Sequence, residues 1–76
     1  MKIRYTLHAV ERMKQRGISR EEVEDCLSNP DKTLEGRESK CVKKLNDMAL
    51  IVVYRMEAGT TIIITAYRTS KLYKYL

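Results

Sequence analysis

Neither Trp nor Phe occurs among the 76 residues, so packing falls to Ile, Leu, Val, Met and Tyr. Histidine is nearly absent as well: His8 stands alone, and the two cysteines, Cys26 and Cys41, lie fifteen positions apart. Without the close Cys or His pairs that hold zinc, neither a structural metal nor a cofactor is expected. A disulfide between the two thiols stays open, with reduced, buried thiols the better expectation in a cytosolic chain. Long apolar runs are missing too. The longest nearly apolar stretch, Met48 to Tyr54, is too short to span a bilayer, and no signal-peptide core opens the chain. The length allows one hydrophobic core, which in a chain this short buries only about 60% of the surface exposed on unfolding. The expectation is one soluble cytoplasmic domain over residues 1–76 with no membrane partner.

What the chain does have is charge, and it is segregated. Lys and Arg number 15 against 10 Asp and Glu, a net charge of +5. Residues 1–20 sum to +5, residues 21–40 to −4 and residues 41–76 to +4. An acidic block between two basic ends suggests that the ends converge on one basic surface, suited to RNA, DNA or an acidic protein. The plainer alternative is that the charge only keeps a small protein soluble.

Local signals outline an α+β fold. Lys2 to Tyr5 alternates basic and apolar residues and reads as an edge strand. Thr6 is a fair N-cap for a helix running to Arg16 and closed by Gly17. Ser19 and Glu22 form a capping box, Ile18 and Val23 a hydrophobic staple, and Asn29–Pro30 stops the second helix. Weak strands follow at Lys32 to Arg37 and Lys40 to Leu45, with a turn at Asn46–Asp47. Met48 to Met56 is apolar on both faces at its centre and belongs in the middle of a sheet. Ala58–Gly59–Thr60 then turns the chain into Thr61 to Arg68, with Ile63, Thr65 and Tyr67 expected on one face and Ile62, Ile64 and Ala66 on the other. The tail is either a last edge strand or an ordered arm. Two helices packed on an antiparallel meander of about four strands is the predicted architecture.

The first helix carries the chemistry. At 100° per residue, Glu11, Arg12, Gln15 and Arg16 lie within roughly 80° of His8, while Leu7, Ala9, Val10 and Met13 occupy the opposite half. His8, Arg12 and Arg16 thus form a line with steps of about 6 Å. Guanidinium forks clamp phosphate, and an imidazole moves protons near neutral pH. Such groups could serve attack of a ribose 2′-OH on the adjacent phosphate, a reaction that DNA cannot undergo. The competing reading is an exposed histidine with solvated arginines, steadied by Glu11. Near the C-terminus, Thr65 and Tyr67 offer hydroxyls beside Arg68, Lys71 and Lys74, and Tyr73 and Tyr75 could stack bases. Alternatively the tyrosines pad a core lacking Phe and Trp, which for Tyr54 is the stronger reading.

The pattern His8-x-x-x-Arg12-Met13-x-x-Arg16-Gly17-Ile18, then Ser19-x-Glu21-Glu22-Val23 and Asn29-Pro30, closing on Ile64-Thr65-Ala66-Tyr67-Arg68, resembles a family of small prokaryotic proteins. That family is in turn similar to the RelE/ParE-like toxin superfamily, and the match covers nearly the whole chain. The resemblance implies a RelE-like toxin fold, metal-independent endoribonuclease activity on mRNA, free or ribosome-bound, and neutralisation by a cognate antitoxin. It places the catalytic positions on His8, Arg12, Arg16, Thr65 and Tyr67. Arg4, Lys14, Arg68, Lys71 and Lys74 are the expected nucleic-acid contacts. A binding module without catalysis, and an interaction protein that pairs with an acidic chain or with a second copy of itself, are the other two readings.

Overall fold

The computed structural model describes residues 2–76. In chain order the elements are β1 (Lys2–Tyr5), α1 (Leu7–Arg16), α2 (Arg20–Ser28), β2 (Lys32–Leu34), β3 (Ser39–Leu45), β4 (Met48–Glu57) and β5 (Thr60–Thr69). A 3-10 turn, Leu72–Lys74, lies within the C-terminal arm. No described helix is long and apolar enough to cross a membrane.

Both helices begin and end where local chemistry directs. The Thr6 hydroxyl accepts from the Ala9 amide, and Gly17 closes α1 at φ +64°, a conformation that costs a residue with a Cβ more than it costs glycine. Ser19 and Glu22 make both halves of the capping box, and Ile18 and Val23 are buried in one cluster. Glu21 and Glu22 complement the positive end of the α2 dipole.

The sheet has five strands in the order β1-β5-β4-β3-β2 and is mixed, not an antiparallel meander of about four. β4 is central, as its two-sided apolar run requires. The difference lies at β1, which pairs parallel with β5, Lys2 opposite Thr60 and Tyr5 opposite Ile63. A parallel pair needs a long crossover, and everything from α1 through β4 serves as one here, so no local signal announces the pairing. The tail is the arm rather than a sixth strand.

A second departure is a β-bulge. Val53 pairs with Thr65 but Tyr54 pairs with Ile63, leaving Ile64 as the extra residue. Strict alternation along β5 therefore breaks. Ile63 and Ala66 join the helix-side core, whereas Ile64 and Tyr67 pack on the opposite face. The faces predicted for β5 hold only from Thr65 onward, where Thr65 and Tyr67 still point the same way.

Two hydrophobic clusters sandwich the sheet. Ala9, Met13, Ile18, Val23 and Cys26 from the helices meet Cys41, Leu50, Val52, Ile63 and Ala66. Val42, Ala49, Ile51 and Val53 form the other, covered by Tyr67 and by Leu72 and Tyr75 of the arm. Cys26 and Cys41 are free and buried, Cys41 Sγ donating to the Cys26 carbonyl at 2.8 Å and Cys26 Sγ to the Cys41 carbonyl at 3.4 Å. The Cys41 contact and burial push the Cys26 thiol up, holding it protonated.

Candidate nucleic-acid interface

β1 is too short to cover β5. Past Ile63 the edge of β5 has carbonyls without a strand beside them, and the start and end of α1 supply the donors instead. The Thr6 amide donates to Ile63 O at 3.1 Å, and the Thr6 hydroxyl to Ile64 O at 3.5 Å. Arg16 reaches across from the helix C-terminus, its Nη1 donating to Ala66 O at 2.9 Å and to Thr65 Oγ1 at 3.4 Å. Arg16 thus joins two of the residue groups singled out in the sequence, the α1 stripe and the outer face of β5. Its charge is felt at Tyr67, where it lowers the phenol pKa; burial and the Tyr75 hydroxyl outweigh it and push Tyr67 up to about 12. The Tyr67 and Tyr75 hydroxyls share a hydrogen bond of 3.0 Å.

The rest of the stripe is open. Arg12 donates to Gln15 Oε1 at 3.2 Å, one turn along the same helix, and His8 is exposed with no hydrogen-bond partner among the described residues. On the other half of the wheel only Ala9 and Met13 are buried; Leu7 is 76% and Val10 43% exposed, because the helix lies over β5 along the Ala9–Met13 line.

Arg68 plays a different part from the one expected of it. It sits opposite Leu50, on the helix side of the sheet, and donates to Arg16 O at 2.8 Å, Gly17 O at 3.1 Å and Glu22 Oε2 at 2.8 Å. Those bonds satisfy carbonyls at the C-terminal end of α1 and pin the helix–helix corner to β5. The guanidinium and the Ser19 amide hold the Glu22 carboxyl below its ordinary value.

Directly paired residues share a sheet face, so the register shows what lies on the face away from the helices. Lys32 pairs with Val42, Lys40 with Val53, and Lys44 with Ala49; Lys2 and Arg4 are opposite Thr60 and Ile62. All five bases rim that face, with Thr65, Tyr67 and Thr69 between them. Of the acids there, Glu57 is ion-paired with Arg55 on the same strand. The acidic residues Glu21, Glu22, Glu24 and Asp25 are all on α2, in the other layer. Lys71 and Lys74 are exposed on the covering arm, Tyr73 is 80% exposed beside them, and Tyr75 packs inward. Tyr54 packs against the core as expected. Lys14 is exposed on α1, apart from this face. Lys32, Lys40 and Lys44 are bases that sequence reasoning missed. Lys40, Val42 and Lys44 do alternate at period two, but which face they share is set by their partners.

The family model of a domain of unknown function, DUF4258, matches residues 5–68, from the last residue of β1 nearly to the end of β5, and the chain belongs to that family. No curated protein and no solved structure matches significantly.

Proposed function

We propose that this DUF4258 member binds single-stranded RNA on its lysine-rich sheet face and cleaves it at the α1–β5 margin, as a RelE/ParE-like toxin would. The observation that carries the reading is Arg16, which extends from the His8–Arg12–Arg16 stripe to Thr65 on the face where Lys40, Lys44 and Tyr67 lie. An RNA backbone crossing that margin meets guanidinium forks on one side and hydroxyls on the other.

In the proposed reaction neutral His8 takes the proton from a ribose 2′-OH, whose oxygen attacks the adjacent phosphorus. The bond from phosphorus to the 5′-oxygen breaks, water protonates that oxygen as it leaves, and His8 gives its proton back to solvent. The products are a 2′,3′-cyclic phosphate and a 5′-hydroxyl. Arg12 and the free donors of Arg16 offset charge on the phosphoryl oxygens. Tyr67, with its pKa near 12, stays a neutral phenol at physiological pH and can donate a hydrogen bond together with Thr65. On this reading the protein partner is a cognate antitoxin.

Purified protein incubated with RNA, alone and with ribosomes, should give cyclic-phosphate ends and leave DNA of the same sequence intact. His8→Ala should lower the rate by roughly a hundredfold or more. No cleavage under either condition, or equal cleavage by His8→Ala, overturns the catalytic reading. A second reading, binding without cleavage, draws on His8 itself, whose ring has no hydrogen-bond partner among the described residues. It predicts affinity that falls in Arg12→Ala and Arg16→Ala and survives His8→Ala, with no products under any condition.

A further inference from the structure

β1 is the sheet's edge strand: it pairs with β5 on one side, and no strand among the described residues covers the other. A cleft of about 430 Å³ opens beside it, lined by Ile3, Arg4, Tyr5, Val10, Arg20 and Glu24. Its wall is already ordered. The Tyr5 hydroxyl donates to Glu24 Oε2 at 3.0 Å, and the Arg20 guanidinium lies 4.9 Å from the centre of the Tyr5 ring. Ile3 and Tyr5 give the cleft an apolar floor, and Val10 lines its helix side. Val10 and Leu7 sit one turn apart on α1, and both are exposed.

We infer that β1 and this cleft are the docking site for an extended acidic segment of a partner protein. The segment adds a strand to the sheet, seats an apolar side chain between Ile3, Tyr5 and Val10, and sets carboxylates beside Arg4 on the outer face and, at the next helix-side position, beside Arg20. Three observations fix the kind of partner. An open edge asks for a chain that hydrogen-bonds through its backbone. The cleft's apolar floor asks for an aliphatic side chain at one position in two. The charge excludes self-pairing, because Lys2 and Arg4 of one copy would face those of another, whereas an acidic strand meets Lys2, Arg4 and Arg20 with opposite sign. Glu24 is the acid in the cleft lining, and its carboxylate accepts from the Tyr5 hydroxyl. The docking site shares Lys2 and Arg4 with the rim of the basic face, but its cleft, Val10 and Arg20 lie on the helix side, apart from the His8–Arg12–Arg16 stripe.

The test uses two capped synthetic peptides of the same length. One carries Asp or Glu at alternate positions, with Val, Leu and a single Glu for Arg20 between them; the other replaces every acid with Lys. Binding is followed by amide NMR and hydrogen exchange of the full chain. The acidic peptide should bind saturably, slow exchange at alternate amides of Lys2–Tyr5 and shift the signals of Val10 and Arg20, and the basic peptide should not. Arg20→Glu should weaken the acidic peptide at least tenfold and admit the basic one. Glutamate at the first position of α2 suits the helix dipole, so that variant keeps its fold. Val10→Asp should weaken the acidic peptide without touching the strand. No binding, protection confined to other strands, or affinity indifferent to Arg20→Glu and Val10→Asp overturns the inference. RNA cleavage by the Arg20→Glu variant reports separately on the nuclease reading, so the two can fail independently.

Discussion

Single side chains here do different work from what their chemistry advertises. Arg16 and Arg68 both look like phosphate ligands in the sequence, yet each donates to backbone carbonyls, and only Arg16 keeps part of its fork turned toward the candidate site. The tyrosines are likewise structural before they are anything else. Burial and the Glu24 carboxylate push Tyr5 up to about 12, and burial and Tyr75 do the same for Tyr67, from an ordinary 10.0. A phenol with a raised folded pKa contributes stability that is fully present below the unfolded value and lost as pH rises through the folded one. Stability should therefore fall between about pH 10 and pH 12 more steeply than lysine deprotonation alone produces. Urea midpoints measured across that range should show the decline flattened in Tyr5→Phe and Tyr67→Phe.

At the scale of elements, the helix corner is held by one carboxylate. Glu22 closes the α2 capping box and accepts from Arg68, which is why its pKa lies below the ordinary range. The unfolded chain binds that proton more readily, so the stability Glu22 contributes is present above the unfolded carboxylate value and drains away as pH falls through the lowered one. Acid titration of the melting temperature should be visibly shallower in Glu22→Gln. Arg68→Ala should return the Glu22 pKa toward its ordinary value, read by carboxyl-carbon NMR. It should also cost about 1 kcal/mol, a partly exposed set of charge-assisted bonds being worth less than a buried one. The corner was legible because its signals are consecutive: Thr6, Gly17, the Ser19–Glu22 box and Pro30 each act within a few residues. The central place of β4 was legible because two-sided burial leaves an apolar run. What stayed hidden was set across the chain. The β1–β5 pair joins residues 58 positions apart, as with Lys2 and Thr60, and the bulge at Ile64 exists only where β5 meets β4. Because that bulge reassigns faces, neither Ile63 nor Ile64 could be placed correctly by alternation.

Over the whole molecule, the sheet face away from the helices collects bases that the sequence scatters. The register gathers Lys2, Arg4, Lys32, Lys40 and Lys44 on one sheet face, while Lys43 turns to the helix side, donating to Asn29 O at 2.8 Å with Asp25 at 3.8 Å. RNA affinity should accordingly weaken with salt, and Lys40→Ala and Lys44→Ala should each lower the slope of log affinity against log salt by about 0.7, the value for one phosphate contact on a single strand. Lys43→Ala should leave the slope unchanged, a comparison that filter binding at several salt concentrations makes directly. The parallel pairing of β1 with β5 has a consequence for how the protein comes into being. Of the described strands, the one made first pairs with the one made last. Until β5 emerges, the α1 surface of Ala9 and Met13 lacks the strand it mainly packs on, and the basic ends stay apart. The β1–β5 pair can therefore close only once β5 is made, and a truncated product lacking β5 should be inert as well as unfolded.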